Sequence, residues 1–208
     1  MSQYFEIHPD NPQLRLIRHS VDIIRKGGVV VYPTDSCYAL GCQLDDKSAL
    51  NKIIRIRKLT KDHHFTLMCR DLSEISRYAK VSNESFRLMK GLTPGPYTFI
   101  LPATHEVPRR LWNPKAKTIG IRVPDNPVTL ALLGELDQPL MSTTLILPET
   151  DMAMTDPYQI RVMLEHQVDL IVDSGFCGID PSTVIDMTSG LPEVVRHGVG
   201  PVDWLEKH

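Results

Sequence analysis

The sequence lacks the short motifs that mark the common nucleotide and metal sites. It has no GxxxxGK[ST] phosphate loop, no GxGxxG between a strand and a helix, and no HExxH. A serine elbow and a cysteine–histidine pattern with catalytic context are also missing. P-loop, dinucleotide-binding and zinc-protease hypotheses therefore have no support in the sequence.

Cysteines are few and apolar runs are short. Cys37, Cys42, Cys69 and Cys177 have no CxxC spacing, and each lies in or beside a strand-like run, which favours buried reduced thiols over a disulfide frame or a zinc site. Runs such as GGVVVYP and VDLIVD are too short to cross a bilayer, and MSQYFEIHPDNPQ has no signal-peptide pattern. We therefore expect a soluble cytoplasmic protein with no membrane partner.

The charge is nearly balanced and the chain is uniform. The 208 residues include 23 basic and 25 acidic side chains, for a net charge of −2, so any basic surface must be local. The 16 prolines and 12 glycines are scattered, and no repeat or low-complexity linker divides the chain. We expect one domain over residues 1–208.

Hydrophobic periodicity predicts strands mixed with helices. The segment LRLIRHSVDIIRK places Leu14, Ile17, Val21 and Ile24 on one helical face, and GG ends it. GVVVYPTD and CYALGCQL are typical of strands that pair or follow one another. Further strands are predicted at FTLMC, YTFILP, TIGIRVP, PLMSTTLIL, VDLIVD and STVIDM, and helices around 72–78, 84–90, 127–136 and 157–166. This pattern predicts an α/β fold with one twisted, mixed sheet, whose strand order the sequence leaves open.

The segment DDKSALNKIIRIRKLTK predicts a helix with a basic face. Capping-type acidic residues precede it, and its leucine and isoleucines turn toward a core. Lys52, Arg55, Arg57 and Lys58 are left for water or phosphate.

Several predicted strands end in hydroxyls, arginines and Pro-Gly turns. The segments are YPTDSCYALG, TPGPYTFIL, TIGIRVPDNP, DPSTVIDM and VVRHGVGP. In DPSTVIDM, the hydroxyls of Ser182 and Thr183 open a strand beside free backbone N–H groups. Such an arrangement either holds an anion or caps the turn.

In their order along the chain, these five segments resemble the YrdC/Sua5 family of threonylcarbamoyl-AMP synthases, and within it the YciO branch. The resemblance covers about residues 14 to 201. It implies an open twisted mixed sheet flanked by helices, with a large concave, positively lined face. It also implies condensation of threonine with bicarbonate and transfer of the carbamate to the α-phosphate of ATP with Mg²⁺, for tRNA modification, without a tightly bound cofactor.

The resemblance assigns roles to individual residues. Arg122 in GIRVP would grip the threonine carboxylate, and Thr34 in YPTD would face the amino acid. Ser182, Thr183 and Arg196 would contact the nucleotide. A structural ion pair for Arg122 and a turn-forming role for Thr34 remain the alternatives.

Two motifs depart from the family pattern. The Lys-x-Arg pair is missing from the corresponding segment, RIRKLTKDHHF. Either Lys58 or Arg57 can be aligned with the family lysine, and neither alignment restores the pair. The Ser-x-Asn motif becomes Thr144 and Ile146, and an apolar side chain cannot supply amide hydrogen bonds. Because each charge-assisted bond contributes about 1.5–3 kcal/mol, these losses put full activity in doubt.

Nearby residues offer compensation for the lost pair. Lys58, Lys61, His63 and His64 lie in the same stretch, and Lys58 is the lysine expected at the nucleotide. The two adjacent histidines would point to opposite faces of a strand, so no metal site is expected there.

Three functions follow from these observations. The first is a threonylcarbamoyl-AMP synthase-like nucleotidyltransferase that uses Thr34, Arg122, Thr144 and the nucleotide-binding residues. The second is a non-catalytic module that binds double-stranded RNA or tRNA through Lys52, Arg55, Arg57 and Lys61. The third is a regulator that binds ATP without turnover.

Overall fold

A computed structural model describes residues 1–60, 63–113 and 115–204, and within these ranges the chain forms ten strands and six α-helices. The strands are β1 (Gln3–Glu6), β2 (Val30–Tyr32), β3 (Ala39–Gln43), β4 (Thr66–Met68), β5 (Tyr97–Pro102), β6 (Thr118–Arg122), β7 (Leu140–Thr144), β8 (Leu170–Asp173), β9 (Thr183–Asp186) and β10 (Glu193–Arg196). The helices are α1 (Leu14–Arg25), α2 (Lys47–Arg57), α3 (Leu72–Tyr78), α4 (Asn83–Leu92), α5 (Pro127–Leu136) and α6 (Pro157–Leu164).

The strands form one mixed sheet in the order β1-β8-β2-β3-β7-β4-β6-β5-β9-β10. Four neighbouring pairs are parallel, namely β1 with β8, β8 with β2, β4 with β6, and β5 with β9. The other five pairs are antiparallel, including β2 with β3, where Val30 faces Gly41. The predicted α/β class with a single mixed sheet is confirmed.

Five of the six helices in the described ranges begin at residues that capping rules favour. The side chains of Asp46, Asp71, Ser82, Asn126 and Asp156 each accept a backbone N–H at the start of α2 to α6, respectively. After α1, the chain turns at Gly27, whose φ of 85° favours glycine.

The two faces of the sheet are covered unequally. One core cluster receives buried side chains from α2, α3, α4 and α6 and runs across the strands from β2 to β9. The second cluster, on the opposite face, receives its helical side chains from α1 and α5, which pack over β2, β3 and β8. Among the described helices, these two alone contribute to that face, and their cluster includes Met68 of β4, so the half over β6, β5 and β9 carries no helix.

The predictions missed the two edge strands. β1 and β10 have half-exposed patterns and pair on one side only, so neither carries a continuous apolar run. Leu14, which was predicted to join the buried face of α1, is 54% exposed. No helix in the described ranges has the length and apolarity to cross a bilayer.

Replacing Ile24 should test how much the α1 layer contributes to stability. Ile24 is fully buried in the second cluster. We expect Ile24→Ala to lower the free energy of unfolding by about 2–5 kcal/mol, because it removes buried methyl groups and leaves a cavity. Leu14→Ala on the same helix, at an exposed position, should change it by less than about 0.5 kcal/mol. Urea denaturation measures both, and equal losses in the two variants would contradict the layer assignment.

Candidate functional site

A cavity of about 580 Å³ lies on the half of the sheet that α1 and α5 leave uncovered. Its floor includes small residues on adjacent strands, namely Thr66, Thr98, Thr118, Gly120 and Ser142. These residues alternate with core residues along each strand, as period-2 geometry requires. At Gly120, a Cβ atom would lie 3.0 Å from the Thr66 hydroxyl, so a larger side chain would fill the floor.

Arg122 ends β6 at one wall of the cavity and is held by protein groups. Its Nη1 donates to the Ser36 hydroxyl at 3.0 Å, and its Nη2 forms a buried ion pair with Asp35. The Arg122 Nε and the Asp35 Oδ2 are buried without a hydrogen-bond partner in the structure. The alternative of a structural pair is therefore present, yet Arg122 also lines the cavity.

Thr34 forms the turn after β2 and also lines the cavity. Its hydroxyl donates to the Cys37 carbonyl at 2.7 Å and accepts the backbone N–H groups of Ser36 and Cys37, which closes the turn after β2. The residue still lines the cavity. A ligand at Thr34 would therefore share a hydroxyl that already shapes the turn.

Ser182 and Arg196 form the adjoining wall, because Thr98, which the Ser182 hydroxyl contacts, lies beside Arg122 in the antiparallel pair of β5 and β6. The Ser182 hydroxyl lies 2.7 Å from that of Thr98, and Arg196 donates to the Ser182 carbonyl through Nη2 at 2.8 Å and Nε at 3.2 Å. Burial, and next the charge of Arg122, lower the pKa of Arg196. This wall therefore offers hydroxyls beside positive charge that has no carboxylate partner among the described residues, a combination that suits an anion.

Thr183, which was predicted to contact the nucleotide, does not line the described cavity, and its hydroxyl is bonded within the protein. Its hydroxyl donates to the Gly200 carbonyl at 2.6 Å and accepts the Gly198 N–H at 3.0 Å, and the residue is absent from the described cavity lining. A Cβ at Gly198 would lie 2.2 Å from the Pro181 carbonyl oxygen, so the two segments touch. Thr183 thus fastens the chain after β10 rather than facing the cavity.

The structure distinguishes the two residues that compete for the lysine slot. Arg57, the last residue of α2, reaches the cavity and donates from Nε to the Ile146 carbonyl at 2.8 Å and from Nη1 to the Thr143 hydroxyl at 2.6 Å. Lys58 adopts a left-handed conformation, with φ of 49°, and forms an exposed ion pair with Glu149 at 3.6 Å. The expected nucleotide-binding and catalytic lysine therefore lies outside the described lining, because the helix ends at Arg57.

Thr144, predicted to contact substrate, lines the cavity together with Ile146. Two further lining residues, Thr143 and His63, belong to the same end of the cavity. The His63 Nε2 lies 2.9 Å from the Thr143 hydroxyl. Burial, with the nearby Arg57 and His64, lowers the pKa of His63 to about 4, so its imidazole is neutral at pH 7.

The sequence did not assign Thr98 or Thr143 to the site, although their neighbours gave a signal. Both are hydroxyls within otherwise apolar strand runs, where alternation would place them opposite or beside the core. Within the part of the chain that the structure describes, no group of three histidine, cysteine or carboxylate side chains is placed to hold a metal ion.

The basic face predicted for α2 is divided. Lys52 pairs with Asp169 at 2.7 Å, Arg55 is exposed, and Arg57 turns into the cavity. Lys61, the fourth predicted RNA contact, lies outside the described residues. The helix therefore does not present these side chains as one continuous surface.

Comparisons with known proteins agree with the fold. A family model for Sua5, YciO and YrdC, described as telomere recombination, matches residues 22–198. The Escherichia coli K12 protein YciO, described as uncharacterized, is 60% identical over 202 residues, covering 97% of this chain and 98% of that protein. An uncharacterized protein of Haemophilus influenzae is 56% identical over 201 residues, covering 96% of this chain and 97% of that protein.

Solved structures give the same result. The crystal structure of E. coli YciO matches with a TM-score of 0.94 over 98% of each chain, at 60% identity. The crystal structure of P. abyssi Sua5 complexed with L-threonine matches with a TM-score of 0.91 at 25% identity, covering 99% of this chain and 60% of that one.

The buried pair of Arg122 and Asp35 can be tested by removing its acid. Asp35→Ala leaves the Arg122 charge buried without its partner, and we expect a loss of about 3–5 kcal/mol in the free energy of unfolding. The double variant Asp35→Ala/Arg122→Met should recover a large part of that loss, because no uncompensated charge remains. Asp10→Ala, at an exposed position, is the control. Strictly additive effects in urea denaturation would contradict the coupling.

Proposed function

Because the chain belongs to the Sua5/YciO/YrdC family, we propose that its cavity binds ATP with Mg²⁺ and L-threonine and supports slow, threonylcarbamoyl-AMP synthase-like nucleotidyl transfer. The observation that carries this proposal is the convergence of Arg57, Arg122 and Arg196 on one cavity with a floor of small hydroxyl residues. Transfer of a nucleotidyl group needs positive charge and oriented donors more than a protein nucleophile.

The wall of Ser182 and Arg196 is the proposed phosphate end. Arg196 is held by the Ser182 carbonyl through two nitrogens, which fixes its guanidinium beside the Ser182 and Thr98 hydroxyls. A phosphate placed there would receive charge-assisted hydrogen bonds, the strongest kind available in a protein. Mg²⁺ would arrive with the phosphates, because it usually keeps waters and substrate oxygens as ligands.

The wall of Arg122 and Thr34 is the proposed amino-acid end. A carboxylate is the natural partner of a guanidinium fork, and the related P. abyssi Sua5 was crystallised with L-threonine. Asp35 and Ser36 already hold Nη2 and Nη1 of Arg122, so its position is set before a ligand arrives. Such preorganisation lowers the entropic cost of binding.

The chemistry balances without a protein nucleophile. The threonine amine and bicarbonate form a carbamate and water, a carbamate oxygen attacks the α-phosphorus of ATP, and pyrophosphate leaves. The arginines would stabilise the negative charge that develops on the transferring group. The reaction should be slow, because Ile146 supplies no amide at the cavity and Lys58 is turned away toward Glu149.

ATP binding and product formation test this function directly. We expect calorimetry to show ATP–Mg²⁺ and L-threonine binding, and a radiolabelled assay with bicarbonate to show threonylcarbamoyl-AMP and pyrophosphate. Arg196→Ala should weaken ATP binding by about 10-fold to 150-fold, the equivalent of one lost charged hydrogen bond. Arg122→Lys should chiefly weaken threonine binding, because lysine keeps the charge and loses the fork.

Arg15→Ala, exposed on α1, is the matched control and should bind both ligands as the unaltered chain does. Failure of the unaltered protein to bind ATP would overturn the proposal. Binding of ATP without product would replace it with the regulator that binds nucleotide without turnover.

A second candidate is binding of double-stranded RNA or tRNA through phosphates, and one feature favours it. Arg109, Arg110, Lys115 and Lys117 are exposed on a segment whose Leu111, Asn113 and Ala116 line the cavity. This segment carries four exposed basic side chains next in sequence to residues that line the cavity, whereas the basic face of α2 is divided. Phosphate contacts of this type give affinity without reading sequence.

An RNA titration separates this candidate from the first. We expect a fluorescently labelled RNA duplex to bind with an affinity that falls steeply between 50 and 200 mM salt, by about 10³-fold if six phosphates are neutralised. Arg109→Ala/Arg110→Ala should weaken binding and reduce the slope of log affinity against log salt by about two. Lys52→Ala, whose ammonium already pairs with Asp169, is the control. An affinity that does not depend on salt would exclude a phosphate-binding surface.

A further inference from the structure

Arg57, Thr143 and His63 form a hydrogen-bonded chain on the β7 side of the cavity. The Thr143 hydroxyl accepts from the Arg57 Nη1 at 2.6 Å and lies 2.9 Å from the His63 Nε2. Thr143 is 6% exposed, so its hydroxyl depends on these protein partners. All three residues line the cavity.

The direction of the chain follows from the donors available. A guanidinium can only donate, so the Thr143 oxygen accepts from Arg57. The Thr143 hydroxyl hydrogen then needs an acceptor, and the His63 Nε2 is the one within reach among the described residues. With that hydrogen directed to Nε2, His63 accepts at Nε2 and carries its proton at Nδ1, which is a neutral form.

The surroundings of His63 favour that neutral form. The Phe65 ring packs edge-on against the imidazole, with centroids 5.1 Å apart, and fixes its plane. Arg57 and His64 are the titratable groups that act on His63, and both oppose a second positive charge. The lowered pKa of His63 agrees with this arrangement.

The Arg57 guanidinium is held by hydrogen bonds from two of its nitrogens. Nε donates to the Ile146 carbonyl and Nη1 to Thr143, while Nη2 has no protein acceptor among the described residues. A guanidinium fixed in this way presents its free donors to the cavity at a low entropic cost.

We propose that His63, acting through Thr143, is a positioning residue that fixes Arg57 as a second phosphate-binding arginine of the cavity, in addition to Arg196. The inference rests on the proposed function for the identity of the ligand, the phosphate chain of ATP. The hydrogen-bonded chain itself rests on contacts within the protein, so the two can be tested separately.

Nitrogen-15 NMR of histidine tests the chain without a ligand. The ¹⁵N shifts of His63 should show an unprotonated Nε2 and a protonated Nδ1 at pH 7. Thr143→Val, which keeps the shape and removes the hydroxyl, should shift the Nε2 signal, while His105→Gln, at an exposed position, should leave it unchanged. A protonated Nε2, or a signal that Thr143→Val does not move, would overturn the proposal.

Affinity for ATP–Mg²⁺ tests the role of the chain. His63→Gln can still accept a hydrogen bond from Thr143 and should bind within about 3-fold of the unaltered protein, a difference under about 0.7 kcal/mol. His63→Lys cannot accept one and brings a charge next to Arg57, so we expect about 10-fold weaker binding, as for Thr143→Val. The double variant His63→Lys/Thr143→Val should be no weaker than either single variant, because both act through Arg57.

Arg57→Ala and Arg55→Ala form the matched pair on α2. The first should weaken ATP binding at least as much as Thr143→Val, and the second, exposed on the same helix, should not. Equal affinities for the unaltered, His63→Lys and His63→Gln proteins would overturn the positioning role. An unaltered protein with the expected NMR signals but no affinity for ATP would overturn the ligand assignment together with the proposed function, and would uphold the hydrogen-bonded chain.

Discussion

The width of the sheet is the constraint on which the rest of this structure depends. Ten strands spaced about 4.8 Å apart make a surface roughly 43 Å across. Two helices packed side by side at about 10 Å cover roughly 20 Å of it. With α1 and α5 as the helices that contribute to one face, about half of that face must meet solvent or a ligand, so the cavity is a consequence of the layer arrangement.

The uncovered half explains the residue types found there. Strands β4, β6, β5 and β9 keep apolar side chains toward the covered face, where they join the main core. Toward the cavity they carry threonine, glycine and arginine, which tolerate water and leave space, together with the apolar Met68, Ile100 and Val184. Among these residues, Arg122 costs the most free energy to bury, because its charge needs the carboxylate of Asp35 beside it.

The sequence predicted helices and strands correctly where a regular hydrophobic period accompanies burial against the core. The helices α3 and α5 have the predicted bounds, and eight strands lie within predicted runs, because a core on at least one side gives each of them a clear apolar pattern. β1 and β10 lack that pattern because each is an edge strand with one neighbour. The sheet order depends on contacts between distant segments, such as β1 with β8, which local periodicity does not encode.

Within the site, the sequence predicted which segments line the cavity better than it predicted which of their side chains face it. Ser182 and Thr183 are adjacent in an extended chain, so they point to opposite faces and one of them had to leave the cavity. The choice between Arg57 and Lys58 depended on where α2 ends, and helix ends are the least certain feature of a periodic pattern. Hydrogen bonds such as that between Arg57 and Thr143 join residues far apart in the chain, so no local motif announces them.

The geometry of the cavity indicates what the changes in the Lys-x-Arg and Ser-x-Asn motifs do physically. A lysine is a flexible point charge, whereas Arg57 is a planar fork tied at Nε and Nη1. Burial lowers the pKa of both Arg57 and Arg196, which shows that holding these charges in the cavity costs free energy. An anion bound beside either guanidinium would recover part of that cost, because it would place a negative charge next to a buried positive one. The altered cavity therefore keeps the electrostatic character of an anion site while it loses the asparagine position to Ile146, and we expect binding to be preserved better than turnover.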